Sequence, residues 1–356
     1  MKQYRKLIII LSIISVVIII LGYTFFHNFM GPVSQDKTKI DFIVEPNSTY
    51  LTIANELKDE HLIKSTFGYK LYIKIFNPEL LKAGKYQLTK AMSVMDIIHL
   101  LEEGKPTNPN IVRITFREGL NMRAIAKLIA TKTNNSVTDI YATLTGSDYL
   151  DSLISKYWFL TSAIKNPEIY YSLEGYLFPD TYEFNKQTSI KEIFSIMLNN
   201  TLKKLTPFKE EITNSQYKIH ELITLASIIE LEASNSNDRA GVAGVFYNRL
   251  SDSWTLGSDV TTYYAEKKEL WVADLTDLEL HACNAYNTRG TCFTGLPIGP
   301  VSNPGLESIK AVIEPRMGQY YYFVADKTGK TYFNVNVTGH NKTIADLKSR
   351  NLWFQY

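Results

Sequence analysis

Lys218-Ile-His-Glu-Leu-Ile-Thr-Leu-Ala-Ser-Ile-Ile-Glu-Leu-Glu-Ala233 spaces its apolar residues for a helix, not for alternation along a strand. At 100° per residue, Ile219, Leu222, Ile223, Ala226, Ile229 and Ala233 gather on one face, which predicts a helix packed on a core. Glu230 falls in the middle of that face, about 20° from Ile219. Glu221 and Glu232 fall on the opposite side, where solvated carboxylates belong. A carboxylate on an apolar stripe must be paired, hydrogen-bonded or set at the rim of a cleft, because uncompensated burial costs several kcal/mol. Desolvation also favours the protonated form, which a general acid needs near neutral pH. The competing reading of Glu230 is a structural ion pair with Arg239 or Arg249.

Downstream, Ser234-Asn-Ser-Asn-Asp238 is a polar turn able to cap a second helix, Arg239 to Leu250. Ala240, Gly241, Ala243 and Gly244 keep that helix thin, so the sequence predicts close approach of another backbone. Leu256-Gly-Ser-Asp-Val-Thr-Thr-Tyr-Tyr264, Tyr286-Asn-Thr-Arg289, Gly295-Leu-Pro-Ile-Gly-Pro300 and Asn303-Pro-Gly305 are dense in turn-forming residues, and ordered turns often carry ligand contacts. Tyr320-Tyr-Tyr-Phe-Val324 and Thr331-Tyr-Phe-Asn334 predict a hairpin around Asp326-Lys-Thr-Gly329. Upstream, Glu174-Gly-Tyr-Leu-Phe-Pro-Asp-Thr-Tyr-Glu-Phe184 interleaves aromatics and acids, and Glu174 and Tyr176 could line a sugar groove. An edge strand and turn packed on the core would look the same.

Further upstream the chain repeats itself. Glu45-Pro-Asn-Ser-Thr-Tyr-Leu-Thr-Ile-Ala-Asn-Glu-Leu57 aligns without a gap on Arg117-Glu-Gly-Leu-Asn-Met-Arg-Ala-Ile-Ala-Lys-Leu-Ile129. Each copy follows a short strand and opens a helix, at Ile53/Leu57 and Ile125/Ile129. Gly84 to Leu88 is a further strand, and Ser93 caps a helix stopped by Gly104 and Pro106. The pattern predicts small α/β modules over residues 40–105 and 106–165, either spacers or carbohydrate binders. A mixed α/β catalytic part would follow over residues 166–356, giving an α+β protein.

Leu7 to Phe26 is 20 residues without a charge, about what a bilayer crossing needs. Lys2, Arg5 and Lys6 precede it, and neither Lys nor Arg follows until Lys37, so the positive-inside rule predicts a cytoplasmic tail (residues 1–6). A single span (7–26) and a polar spacer (27–39) would follow, with the rest of the chain extracytoplasmic. No small-x-small cleavage site closes the apolar run, which argues against a removed signal peptide. The 356 residues carry 38 basic against 36 acidic side chains; without Lys2, Arg5 and Lys6 the balance is 35 to 36. That excludes a nucleic-acid partner. HExxH, G-x-S-x-G and P-loop patterns are missing, and His281 and His340 lack metal-ligand spacing, so no metal or cofactor is expected. Cys283 and Cys292, nine positions apart on the oxidising side of the predicted span, are expected to form a disulfide. Closing so short a loop would contribute about 2–3 kcal/mol.

In order along the chain, Glu174 to Tyr182, Ala226-Ser-Ile-Ile-Glu230, Gly244-Val-Phe-Tyr-Asn-Arg-Leu250, Tyr286-Asn-Thr288, Gly295-Leu-Pro-Ile-Gly-Pro300 and Tyr322-Phe-Val-Ala-Asp326 with His340-Asn341 resemble the YceG-like (MltG) family of endolytic murein transglycosylases. The resemblance spans roughly residues 40–350. It implies a LysM-like module before the catalytic domain and cleavage within nascent peptidoglycan glycan strands. It also implies that the Glu of Ala-Ser-Ile-x-Glu, here Glu230, is the catalytic acid and then base, leaving 1,6-anhydro-N-acetylmuramic ends. Asn248, Ser258, Asp259, Tyr286, Asn287, Thr288 and Asn341 become candidates for substrate contact, and wall-synthesis proteins become candidate partners. The chain departs from the family at Leu256-Gly-Ser-Asp-Val-Thr261, where many members have Leu-Gln-Ser/Thr-Asp-Pro-Thr, so a contact by that Gln is not carried over. A hydrolase would instead need a second carboxylate, Asp238 or Asp259. A glycan-binding scaffold would not need an acid on the apolar face.

Overall fold

The computed structural model describes residues 22–46, 48–78, 81–104, 110–233, 235–270, 272–290 and 292–353. The predicted span, Leu7 to Phe26, lies outside them up to residue 21. Among the described residues no helix is long and apolar enough to cross a membrane. The chain forms two compact units, divided between Ile111 and Val112.

The first unit holds β1 (Ile40–Val44), α1 (Tyr50–Asp59), α2 (Thr66–Phe76), β2 (Gly84–Leu88) and α3 (Val94–Glu103). β1 and β2 pair antiparallel, Ile40 opposite Leu88 and Val44 opposite Gly84. Alternation along the strands turns Phe42, Val44, Tyr86 and Leu88 inward, against Ile53, Leu57 and Ile97 of the helices. Hydroxyl side chains start α1, α2 and α3: Thr49, Ser65 and Ser93 each accept from a backbone N–H of the first turn.

The second unit opens with β3 (Ile111–Thr115), α4 (Met122–Lys132), α5 (Val137–Leu144) and α6 (Ser147–Lys156). β3 pairs with β4 (Thr181–Asn185). Arg113 meets Glu183, and Thr115 meets Thr181, so the two strands run in opposite directions. This pairing and a shared core tie residues 112–165 to everything that follows, instead of leaving a separate small module. The internal repeat is real at the level of elements. α1 and α4 begin at aligned positions, Tyr50 and Met122, and bury the aligned triplets Ile53-Ala54-Leu57 and Ile125-Ala126-Ile129.

After α7 (Ile190–Leu205) and α8 (Lys209–Asn214) comes α9 (Ile219–Glu232), the helix predicted over 218–233. It is not one-sided. Leu222 through Ile229 are eight consecutive buried residues, because α10 (Arg239–Ser251), α11 (Asp259–Ala265) and α13 (Leu306–Ile313) surround it. A short α12 (Asp277–Leu280) lies between α11 and α13. The small residues of α10 receive a neighbouring backbone as predicted. Arg316 N–H donates to Ala240 O at 2.8 Å, and a Cβ at Gly244 would collide with Arg316 O. The chain closes with the hairpin β5 (Tyr322–Ala325) and β6 (Thr331–Asn334), then α14 (Val337–Ser349).

Candidate active site

Two carboxylates end α9, and they meet different surroundings. Glu230 is enclosed: Arg239 Nη2 donates to its Oε1 at 2.8 Å, and Gly305 N–H donates to Oε2 at 2.9 Å. Its side chain is 5% exposed. Arg239 opens α10 and Gly305 precedes α13, so one carboxylate joins the starts of both helices to the end of α9. Glu118 lies against Gly305, where any Cβ would overlap its carboxyl group; only glycine admits that approach. Burial, and next the negative charge of Glu230, push the Glu118 carboxyl above its ordinary range. Arg239 opposes that shift.

Glu232 faces the other way, into a cavity of about 560 Å³ lined also by Arg249, Trp254, Ser258, Asp259, Arg289, Tyr322 and His340. Ser258 Oγ donates to its Oε1 at 2.5 Å. Burial pushes the Glu232 carboxyl up; the Ser258 hydrogen bond and the charges of Arg249 and Arg289 work against that shift, and Asp259 adds to it. Arg249 reaches across from α10. Its Nε donates to Tyr321 O at 2.8 Å, its Nη1 to Leu256 O, and its guanidinium lies over the Tyr322 ring. Burial, with Arg289 nearby, lowers its proton affinity, while Tyr322 and Glu232 act to restore it. Burial followed by the Arg249 charge holds the His340 imidazole below its usual range. At the rim, Arg289 Nη1 donates to Asp259 Oδ1 at 2.8 Å, and Trp254 is 42% exposed beside Tyr321.

The structure brings only part of the expected set together. Ser258 and Asp259 line the cavity. Glu230 does not; it makes the Arg239 pair that was its alternative reading. Glu232, expected in solvent, is enclosed because α9 has neighbours all round. Glu174 and Tyr176 are core groups. Glu174 accepts from Met122 N–H, Tyr264 Oη and Asn303 Nδ2, and burial pushes its carboxyl up to about 7. Tyr176 Oη is hydrogen-bonded with His220 Nδ1 at 2.9 Å.

Tyr286, Asn287 and Thr288 are buried too, and their polar atoms are engaged inside the protein. Tyr286 Oη accepts from Tyr170 N–H, and Asn287 Oδ1 accepts from Thr262 Oγ1. Thr288 Oγ1 accepts from Ser258 N–H and so frames the cavity without lining it. Asn248 Nδ2 donates to Gly318 O and Tyr320 O, fastening the hairpin to α10. Asn341 is exposed on α14, next to the cavity residue His340. Cys283 and Cys292 are joined, with Cα atoms 5.6 Å apart, and the disulfide brackets the loop carrying Tyr286 to Arg289. Sequence reasoning missed Glu232, Arg249, Arg289 and Trp254. The available signal was the Glu-x-Glu pair at the end of a buried helix, followed by an arginine in the last turn of the next helix and by a tryptophan and a second arginine among turn residues.

A desolvated carboxyl facing guanidiniums, with an exposed indole at the rim, suits acid–base chemistry on a polar substrate with flat, stackable faces. The chain belongs to the YceG-like family, which matches residues 42–346. It is 34% identical over 329 residues to the endolytic murein transglycosylase of Bacillus subtilis (strain 168), covering 91% of this chain and 90% of that protein. Over 340 residues it is 30% identical to the endolytic murein transglycosylase of Streptococcus pneumoniae serotype 2 (strain D39), covering 91% of this chain and 61% of that longer protein. The crystal structure of a YceG-like protein from Listeria monocytogenes matches with a TM-score of 0.62 at 33% identity, over 86% of this chain and 99% of that one.

Proposed function

We propose that this protein is a peptidoglycan lytic transglycosylase that cuts within glycan strands and leaves 1,6-anhydro-N-acetylmuramic ends, with Glu232 as the acid and then the base. The relatives named endolytic murein transglycosylase support the reaction class. The assignment to Glu232 over Glu230 rests on one observation: Glu232 lines the cavity with a desolvated carboxyl, whereas both oxygens of Glu230 are held by internal donors. A neutral Glu232 gives its proton to the glycosidic oxygen as the bond to the muramic C1 breaks. The resulting carboxylate takes the proton of that ring's C6 hydroxyl, whose oxygen bonds to C1. Water is not consumed, and the intramolecular hydroxyl has the effective concentration to react without a second carboxylate. Ser258 holds the Glu232 carboxyl in place, and Trp254 supplies an aromatic face for a sugar ring. The uncharged run Leu7 to Phe26 supports a membrane anchor with the catalytic part extracytoplasmic and next to newly made strands.

The test is digestion of purified glycan strands by the full chain, read by mass spectrometry in oxygen-18 water. Wild type should yield anhydro ends without label, and Glu232→Gln should lower the rate about 10²–10⁴-fold. Labelled reducing ends would indicate hydrolysis with Asp259 as partner. Undiminished cleavage by Glu232→Gln, with loss in Glu230→Gln, would return the acid role to Glu230.

A further inference from the structure

The charges around the cavity do not balance. Arg249 makes no ion pair among the described residues, and the hydrogen bonds of its guanidinium go to the neutral carbonyls of Tyr321 and Leu256. Among the described residues Arg289 pairs only with Asp259 at the rim, with the two side chains 43% and 46% exposed, and such pairs contribute little. Glu232 begins the reaction uncharged in the mechanism above, Tyr322 is a neutral phenol, and the His340 imidazole in the same wall is held towards its neutral form. Two guanidiniums therefore face one carboxylate.

The backbone carrying Arg289 is fixed. Arg289 N–H donates to Asn287 Oδ1 at 3.0 Å, Thr288 N–H to Thr261 Oγ1 at 3.1 Å, and the Cys283–Cys292 disulfide closes the loop. A guanidinium carried on a fixed backbone and weakly held by its partner is suited to receiving a planar carboxylate.

We infer that Arg289, backed by the charge of Arg249, binds a carboxylate of the glycan substrate and makes this cavity selective for strands that carry one. The inference rests on the transglycosylase reading of the cavity. The carboxylate could belong to the lactyl group of bare strands or to the stem peptide, and the test separates the two. Two substrate pairs are compared: bare strands with the lactyl carboxylate free or converted to the amide, and peptide-bearing strands with the stem carboxylates free or amidated.

For wild-type full chain, kcat/KM should favour the free acid by about tenfold in one pair, through KM and not kcat. That pair identifies the source. Arg289→Gln should bring the ratio of free-acid to amidated kcat/KM to about one, whatever its overall rate, and Arg289→Lys should restore part of the preference. Equal kcat/KM within both pairs, or a preference that survives Arg289→Gln, overturns the inference and leaves the transglycosylase reading intact. The same four substrates are titrated against Glu232→Gln for binding. A preference of binding for the free acid, with no cleavage by wild type, would keep this inference and refute the reaction.

Discussion

Glu230 and Glu232 carry the same functional group two residues apart, and their neighbours separate their roles. Glu230 meets donors on both oxygens at the junction of three helices, so its carboxylate is an internal tie. Removing one partner of a buried ion pair leaves the other charge uncompensated. Glu230→Ala should therefore lower the unfolding free energy by about 3–5 kcal/mol, measured by chemical denaturation. Arg239→Met in the Glu230→Ala background should recover part of that loss, because both charges are then absent. Glu232→Gln, which keeps the Ser258 contact available, should leave stability within about 1 kcal/mol of wild type while activity falls.

Among the elements, α10 shows how packing overrules propensity. Two glycines in a helix interior cost up to about 1 kcal/mol each relative to alanine, so Gly244→Ala in an isolated helix would be stabilising. Here the added methyl would meet the carbonyl of Arg316, which is backbone and cannot swing aside. Gly244→Ala should thus lower the stability by about 1–3 kcal/mol, with a matching fall in Tm by calorimetry. The same strand of backbone leads into β5 and Tyr322, so the shift should also weaken substrate binding at the cavity wall.

For the whole molecule, Glu174 is the acid that joins distant segments: the start of α4, α11 through Tyr264, and the turn carrying Asn303. Its carboxyl is raised to about 7 in the fold, against roughly 4.3 in an unfolded chain. The native state holds this proton more tightly than the unfolded state, so the contribution is fully present below about pH 4.3 and is lost as pH rises through 7. The loss is on the order of 4 kcal/mol. Unfolding free energies of wild type should fall relative to those of Glu174→Gln between about pH 4.5 and 7.5, and run parallel to them above pH 8. A difference between the two proteins that does not change with pH would refute the assignment.

Local signals carried much of the fold. Ser93 and Gly104 bound α3, the aligned triplets mark α1 and α4, Asp326 to Gly329 turn the last hairpin, and the small residues of α10 announce a close backbone. Each of these depends on neighbours within a few residues, which is the range over which sequence periodicity and capping act. The ordered motifs also carried the family. The orientation of the two α9 carboxylates lay beyond that range. A helical wheel assumes one buried face, and α9 is buried on every side, so angular position could not tell solvent from cavity. For the same reason Glu174, Tyr176, Tyr286, Asn287 and Thr288, polar groups among turns, turned out to be satisfied core residues. Which polar side chains face a cavity and which are consumed inside the protein depends on partners up to 183 positions away, as for Asn303 and Leu120, and only the tertiary structure brings them together.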